Sequence, residues 1–347
     1  MNSSKFIDYR SDTVTFPTEE MRESMKNALV GDDVYEDDET TKKLEKLAAQ
    51  VTGKEESIFV PSGTFGNQLS LFTHCIRGNE VILGEDCHIV QHEVGASSVI
   101  AGVQLRTLKS DNGALSPEDV EKTIRGENIH FPETGLICIE NAHSNGRVIP
   151  LSVMESIRNI SLKYNIPVHL DGARLFNASA FLNVDPKEIT KYSDSVMFCL
   201  SKGLCAPIGS MLCGSHDFIN KAKKKRKLMG GGLRQTGVLA APGIIAIEKM
   251  TKRLKEDHEN AKYLGALLSE IDGIYVDRGR IEINMTYFTM NFKNLTPLIL
   301  KDELLKKNIK INEDENDEMR FVTNYWVSKD DIEFTCKCIN DLVKKYE

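Results

Sequence analysis

From residue 57 to about 214, short β-rich runs recur with helical apolar spacing between them: Ser57-Val60, Glu80-Leu83, Val103-Leu108, Leu136-Glu140, Pro167-Leu170, Ser195-Cys199 and Ser210-Cys213. This alternation predicts an α/β fold with a mostly parallel sheet wrapped by helices, because parallel neighbours cannot be joined by a tight turn and need a crossover segment. Helical spacing also appears at residues 18–29 and 40–51, on either side of the acidic loop Gly31-Asp-Asp-Val-Tyr-Glu-Asp-Asp-Glu39. After Gly230-Gly-Gly232 the pattern changes. Long helices are expected over 240–254 and 257–271, then strands near 275–276, 285–291 and 318–322, and a last helix from Asp330. A chain of 347 residues is long enough for about two domains. The expected division is an N-terminal segment 1–20, a large domain 21–245 and a smaller α+β domain 246–347.

Composition narrows the function classes. The formal charge of −7 argues against a dominant nucleic-acid surface, which needs an excess of Lys and Arg. The run Lys223-Lys-Lys-Arg-Lys227 would carry a non-catalytic, nucleic-acid-contacting alternative, but such runs are usually solvated faces. There is no apolar leader at Met1 to Arg10 and no apolar run of about 18 residues, so a cytoplasmic protein without a membrane span is expected. Eight cysteines without a C-x-x-C pair read as free thiols. Cys336-Lys-Cys338 is no ligand pair, because helical residues two apart point in different directions, and no metal site is expected.

The chemistry gathers where predicted strands end. Val168-His-Leu-Asp-Gly-Ala-Arg174 delivers Asp171 at the carboxyl end of an apolar strand, where open α/β sheets form their ligand crevices. The apolar strand Ser195-Leu200 runs directly into Ser201-Lys202-Gly203. An amine held out of water there gives up its proton more readily, and only the neutral amine forms a Schiff base with a carbonyl cofactor. Asp171 and Lys202 together suit pyridoxal phosphate (PLP): the carboxylate keeps the pyridine nitrogen protonated while the amine holds the aldehyde carbon. The turn Pro61-Ser62-Gly63-Thr64 opens an apolar helix whose first N–H groups, with the Ser62 and Thr64 hydroxyls, form a phosphate cradle. His88 and His143 sit at two further strand exits, the first able to stack on a planar ring, and either able to act as an acid or base near neutral pH. Arg320, in an otherwise apolar late strand, could bind a carboxylate through its fork. Taken singly, each of these residues also fits an ordinary cap, a solvated charge or a structural ring. Their coincidence at successive strand exits favours a site.

The motifs Arg10-Ser-Asp-Thr13, Gly31-Asp-Asp-Val-Tyr35, Pro61-Ser-Gly-Thr64, Glu140-Asn-Ala-His143, Asp171-Gly-Ala-Arg174, Ser201-Lys-Gly203 and Gly230-Gly-Gly-Leu-Arg-Gln235 resemble, in order, those of the threonine aldolases. The resemblance implies the aspartate-aminotransferase-like PLP fold (fold type I) with a seven-stranded large-domain sheet, and a homo-oligomer, tetramer or dimer. It implies PLP on Lys202, Asp171 at the pyridine nitrogen, Gly63 and Thr64 at the phosphate and His88 on the ring. Arg174 and Arg320, with Ser11, would hold the substrate carboxylate. Tyr35 and Arg234 would be presented to a neighbouring subunit's site. The implied reaction is cleavage of L-threonine or L-allo-threonine to glycine and acetaldehyde, with His143 or His88 taking the β-hydroxyl proton. The other readings are a phenylserine-type aldolase and a β-eliminating lyase. The chain departs from the family at His92-Glu93, where Tyr-Glu is commoner, at Glu36, usually Gly, and at Asn324, commonly His. These departures bear on substrate range and rate rather than on the cofactor.

Overall fold

A computed structural model describes residues 6–347. All seven expected strands form: β1 (Glu56–Val60), β2 (Glu80–Gly84), β3 (Gln104–Leu108), β4 (Thr134–Glu140), β5 (Val168–Asp171), β6 (Ser195–Cys199) and β7 (Ser210–Gly214). They build one sheet in the order β1-β7-β6-β5-β4-β2-β3. Every pairing is parallel except those of β7, which is antiparallel to both β1 and β6. The central strands are buried on both faces, which is why they read as continuous apolar runs rather than alternating ones.

Strand order places the site. From β2 the chain moves outward to β3, then returns to the other side of β2 and continues inward as β4, β5 and β6. The gap between β2 and β4 is therefore the point where the winding reverses, and the crevice opens at the carboxyl ends of the strands there. Register keeps those ends level: Asp171 lies opposite Glu140 of β4 on one side and Met197 of β6 on the other. The helix Gly63–His74 lies close against this sheet. A Cβ at Gly66 would fall 2.6 Å from Met197 Cγ, and one at Gly63 would fall 2.9 Å from Cys199 Sγ.

The chain divides into two compact units, Pro17–Thr251 and a second made of Lys252–Glu347 with the N-terminal residues through Phe16. The expected boundaries at 20/21 and 245/246 thus compare with 16/17 and 251/252. Residues 1–5 of the expected N-terminal segment lie outside the described residues. The first helix, Glu19–Lys26, belongs to the larger unit and packs on the helix Gly237–Glu248. That helix ends before the 3-10 turn Met250–Arg253, short of the expected 254. In the smaller unit the strands Ile274–Val276, Met285–Met290 and Met319–Val322 form an antiparallel sheet. Its core includes Phe288, Phe321, Leu264 and Ile332. Tyr9 stacks on Phe321 with ring centroids 5.0 Å apart, and Ile7–Asp8 pairs in parallel with Ile309–Lys310. Among the described residues no helix is long and apolar enough to cross a membrane, and no disulfide joins any of the eight cysteines.

Candidate active site

The larger unit brings together most of the expected site. Ser62 caps the helix Gly63–His74, its hydroxyl oxygen accepting from Phe65 N at 3.1 Å. The cap, together with the absence of side chains at Gly63 and Gly66, fixes the first turn close to β6. This leaves the early N–H groups and the Thr64 hydroxyl at the helix N-terminus, where an anion is favoured. Asp171 ends β5 almost fully buried, with Oδ1 accepting from Ala173 N at 3.0 Å and Oδ2 from Asn67 Nδ2 at 2.7 Å. Lys202 follows β6 and is half-buried. Arg174 is buried at the start of the helix Leu175–Leu182.

His88 begins a short helix after β2, its backbone N–H donating to Glu140 Oε2 at 2.8 Å. Its Nδ1 lies 2.9 Å from Glu93 Oε1. Glu93 is buried and takes two further donors, Asn67 Nδ2 at 2.8 Å and Gln68 Nε2 at 2.6 Å, so its oxygens act as acceptors and the His88 proton sits on Nδ1. The Glu93 hydrogen bond raises the His88 pKa against the opposing effect of burial, and the charges of Asp171 and Lys202 both act on the ring. One atom each of His88, Glu93 and Asp171 lies within 4.8 Å of the others. Hydrogen-bond donors already occupy the two carboxylates, so the cluster reads as a proton-ordered polar network rather than a cation cage.

His143 occupies a different environment. Its ring is buried under Gly113, where a Cβ would come within 2.5 Å of Cγ. Its Nδ1 accepts from Asn145 N at 3.2 Å, and Nε2 lies 3.7 Å from both Asp86 Oδ1 and Glu140 Oε2, beyond hydrogen-bond range. Backbone bonds to Arg147 and Gly146 close a turn on it.

The remaining expected residues lie elsewhere. Tyr35 and Arg234 are exposed on one surface, where Asp33 N donates to Arg234 O at 3.1 Å and the Arg234 guanidinium donates to Asp32 at 2.9 Å. Ser11 and Arg320 belong to the smaller unit: Ser11 caps the turn Asp12–Val14, and Arg320 stands half-buried opposite Tyr287. The basic run at 223–227 has intramolecular partners. Lys223 pairs with Glu36 and Glu56 at 3.1 and 3.3 Å, and Arg226 pairs with Asp33 at 2.8 Å, while Lys225 lies over Phe72. Glu36 has φ +59, a conformation glycine adopts without strain. His92 is exposed, its ring 5.3 Å from that of His88.

Asn67, Gln68, Glu93 and His169 were not singled out from sequence. The first two share the helix of the phosphate turn, and His169 stands two residues before Asp171, hence on the same face of β5. Period-two counting back from the aspartate identifies His169.

The family model described as beta-eliminating lyase matches residues 8–291. Low-specificity L-threonine aldolase 1 of Arabidopsis thaliana is 42% identical over 339 residues, covering 96% of this chain and 95% of that protein. The chain belongs to the threonine aldolase family. Another family member, the low specificity L-threonine aldolase of Escherichia coli strain K12, is 40% identical over 328 residues, 94% of this chain and 96% of its own. A threonine aldolase structure from Leishmania major superposes with a TM-score of 0.80 at 17% identity, covering 98% of this chain and 99% of that one. Alanine–glyoxylate aminotransferase from Nostoc sp. superposes at 0.76 and 15%, covering 99% and 96%. These are likenesses of fold, and the fold is that of the PLP-dependent fold-type I enzymes. The residues of this threonine aldolase family member suit such a cofactor. A buried carboxylate, a half-buried amine and a helix N-terminus without a Cβ at Gly63 supply complementary groups for a pyridinium, an aldehyde and a phosphate.

Proposed function

We propose that this protein is a PLP-dependent aldolase that cleaves L-threonine and L-allo-threonine to glycine and acetaldehyde. The observation that carries the reading is the convergence of Asp171, Lys202 and the Glu93-held His88 from the exits of β5, β6 and β2. When bound, PLP supplies an electron sink for the Cα–Cβ bonding pair. Lys202 would hold its aldehyde carbon, Asp171 its pyridine nitrogen, and Ser62, Gly63 and Thr64 its phosphate. His88 would cover one ring face. Glu93 holds the His88 proton on Nδ1, which leaves Nε2 to accept a proton from the β-hydroxyl, the carboxylate–imidazole arrangement of a general base. His143 is sealed from such a proton by its packing, so the base role falls to His88. Arg174 takes the substrate carboxylate in this reading. Ser11 and Arg320 keep the carboxylate role that the family resemblance assigns them.

Tyr35 and Arg234 complete a neighbouring subunit's site in the same reading, which makes the protein a homo-oligomer, tetramer or dimer. Leu29, Val30, Val34 and Tyr35 support this, being large apolar side chains left exposed along one loop. Cysteines without disulfides fit a reducing, cytoplasmic setting.

The test is acetaldehyde release from both epimers by PLP-loaded protein, beside Lys202→Ala. Release by the wild type alone is expected. A yellow, PLP-binding wild type that yields ammonia and a ketoacid instead would support β-elimination, the chemistry for which the matched family model is described.

A further inference from the structure

Behind the two site carboxylates runs a buried polar chain with no part in the steps above. Asn67 directs its amide at both carboxylates, 2.8 Å to Glu93 Oε1 and 2.7 Å to Asp171 Oδ2. Its carbonyl oxygen, which can only accept, lies 3.1 Å from His169 Nε2. That contact determines the ring's protons: Nε2 carries the hydrogen, and Nδ1 accepts. Ser70 Oγ and Ser195 Oγ each lie 2.9 Å from Nδ1, and His74 Nε2 lies 2.8 Å from Ser195 Oγ. Asn67, Ser70, His169 and Ser195 are wholly excluded from solvent. Burial pushes His169 down to about 3 and His74 down to about 4, so both rings are neutral near pH 7, as a ring that donates from one nitrogen and accepts at the other must be.

We propose that His169 is a positioning residue for the cofactor, locking the Asn67 amide in the one orientation that aims its donors at Asp171 and Glu93 together. A flipped Asn67 would turn its carbonyl oxygen to two carboxylates and its amide hydrogens to an N–H, so the His169 proton and the carboxylates select the same orientation from opposite ends. One side chain thereby sets both the carboxylate for the pyridine nitrogen and the carboxylate that holds His88. The inference rests on the functional reading above, in which Asp171 meets a pyridine nitrogen.

The test is PLP affinity, by absorbance titration of PLP-free protein, for wild type, His169→Leu and His169→Gln. The leucine variant is expected to bind about tenfold more weakly, the loss of one hydrogen bond acting through charged groups. The glutamine variant, which keeps an N–H donor, is expected to recover most of that loss. Affinity within about twofold of wild type in His169→Leu overturns the proposal, as does an equal loss in both variants, which would mark a packing role. Should the leucine variant not fold, ¹⁵N NMR of the wild-type holoprotein decides. A neutral Nε2–H tautomer from pH 5 to 8 supports the proposal, and an Nδ1–H tautomer or a titrating ring overturns it. A wild type that takes up no PLP overturns the functional reading itself, an outcome distinct from unequal affinities among the three proteins.

Discussion

The exits of β2 and β4 present the same two residue types, a histidine beside a carboxylate, and make different things of them. At the β2 exit His88 keeps 29% of its side-chain surface and bonds Glu93 at 2.9 Å. At the β4 exit His143 keeps 2%, packs under Gly113, and stands 3.7 Å from its two carboxylates. A reactive residue at a strand exit is thus only a precondition. Under the proposed function, the two would be told apart by a nitrogen with access to substrate and a partner that fixes the other nitrogen's proton.

The contrast breaks most directly on the two histidines themselves. His88→Asn should lower kcat/KM for threonine cleavage by about 10²- to 10⁴-fold, the range of a lost general base. His143→Asn should leave turnover near wild type and lower Tm by several degrees. Steady-state kinetics with thermal melts on both variants check the pair, and equal kinetic losses would erase the distinction. Gly113→Ala probes the sealed exit alone. Its φ of +90 and the 2.5 Å approach to the His143 ring should cost roughly 2–4 kcal/mol in urea unfolding, with kcat retained.

Glu93→Gln sharpens the open exit. His88 is raised above its ordinary value of 6.5 chiefly by the Glu93 hydrogen bond, and a base works only above its pKa. The acid limb of the kcat/KM–pH profile should therefore move to lower pH in the variant, with a rate loss of about tenfold. The sign for stability follows from the same shift: the wild-type ion pair contributes below pH 6.5, and that contribution is lost as pH rises through the folded value. The smallest effect is expected for Asp86→Asn. Asp86 meets His143 only at 3.7 Å, and an amide oxygen can still accept the Ser110 hydroxyl that Asp86 Oδ2 takes at 2.6 Å, so unfolding measurements should change by no more than about 1 kcal/mol.

The central strands were legible because both of their faces are covered and each is a bounded apolar run. The antiparallel course of β7 was not, since Ser210–Gly214 carries no pattern that a parallel strand would lack. Lys202, Asp171 and the Ser62 turn were readable from their places just after or at the end of apolar runs. Glu93 was not, because its place in the network comes from Asn67, Gln68 and His88 converging on it in space while its sequence neighbours show only a local departure from the family pattern. His143 was legible as a strand-exit residue, and the packing of Gly113 over its ring is visible only in three dimensions.

The pairing of Ile7–Asp8 with Ile309–Lys310, and of Tyr9 with the strand Met319–Val322, bears on how the chain is made. On a ribosome adding about 5–20 residues per second, the first strand waits some 15–60 seconds for its partner. Residues 17–251, whose sheet draws on no later segment, can fold during that interval. Throughout it the segment around Tyr9 stays uncovered, a target for a holding chaperone until synthesis has passed residue 322.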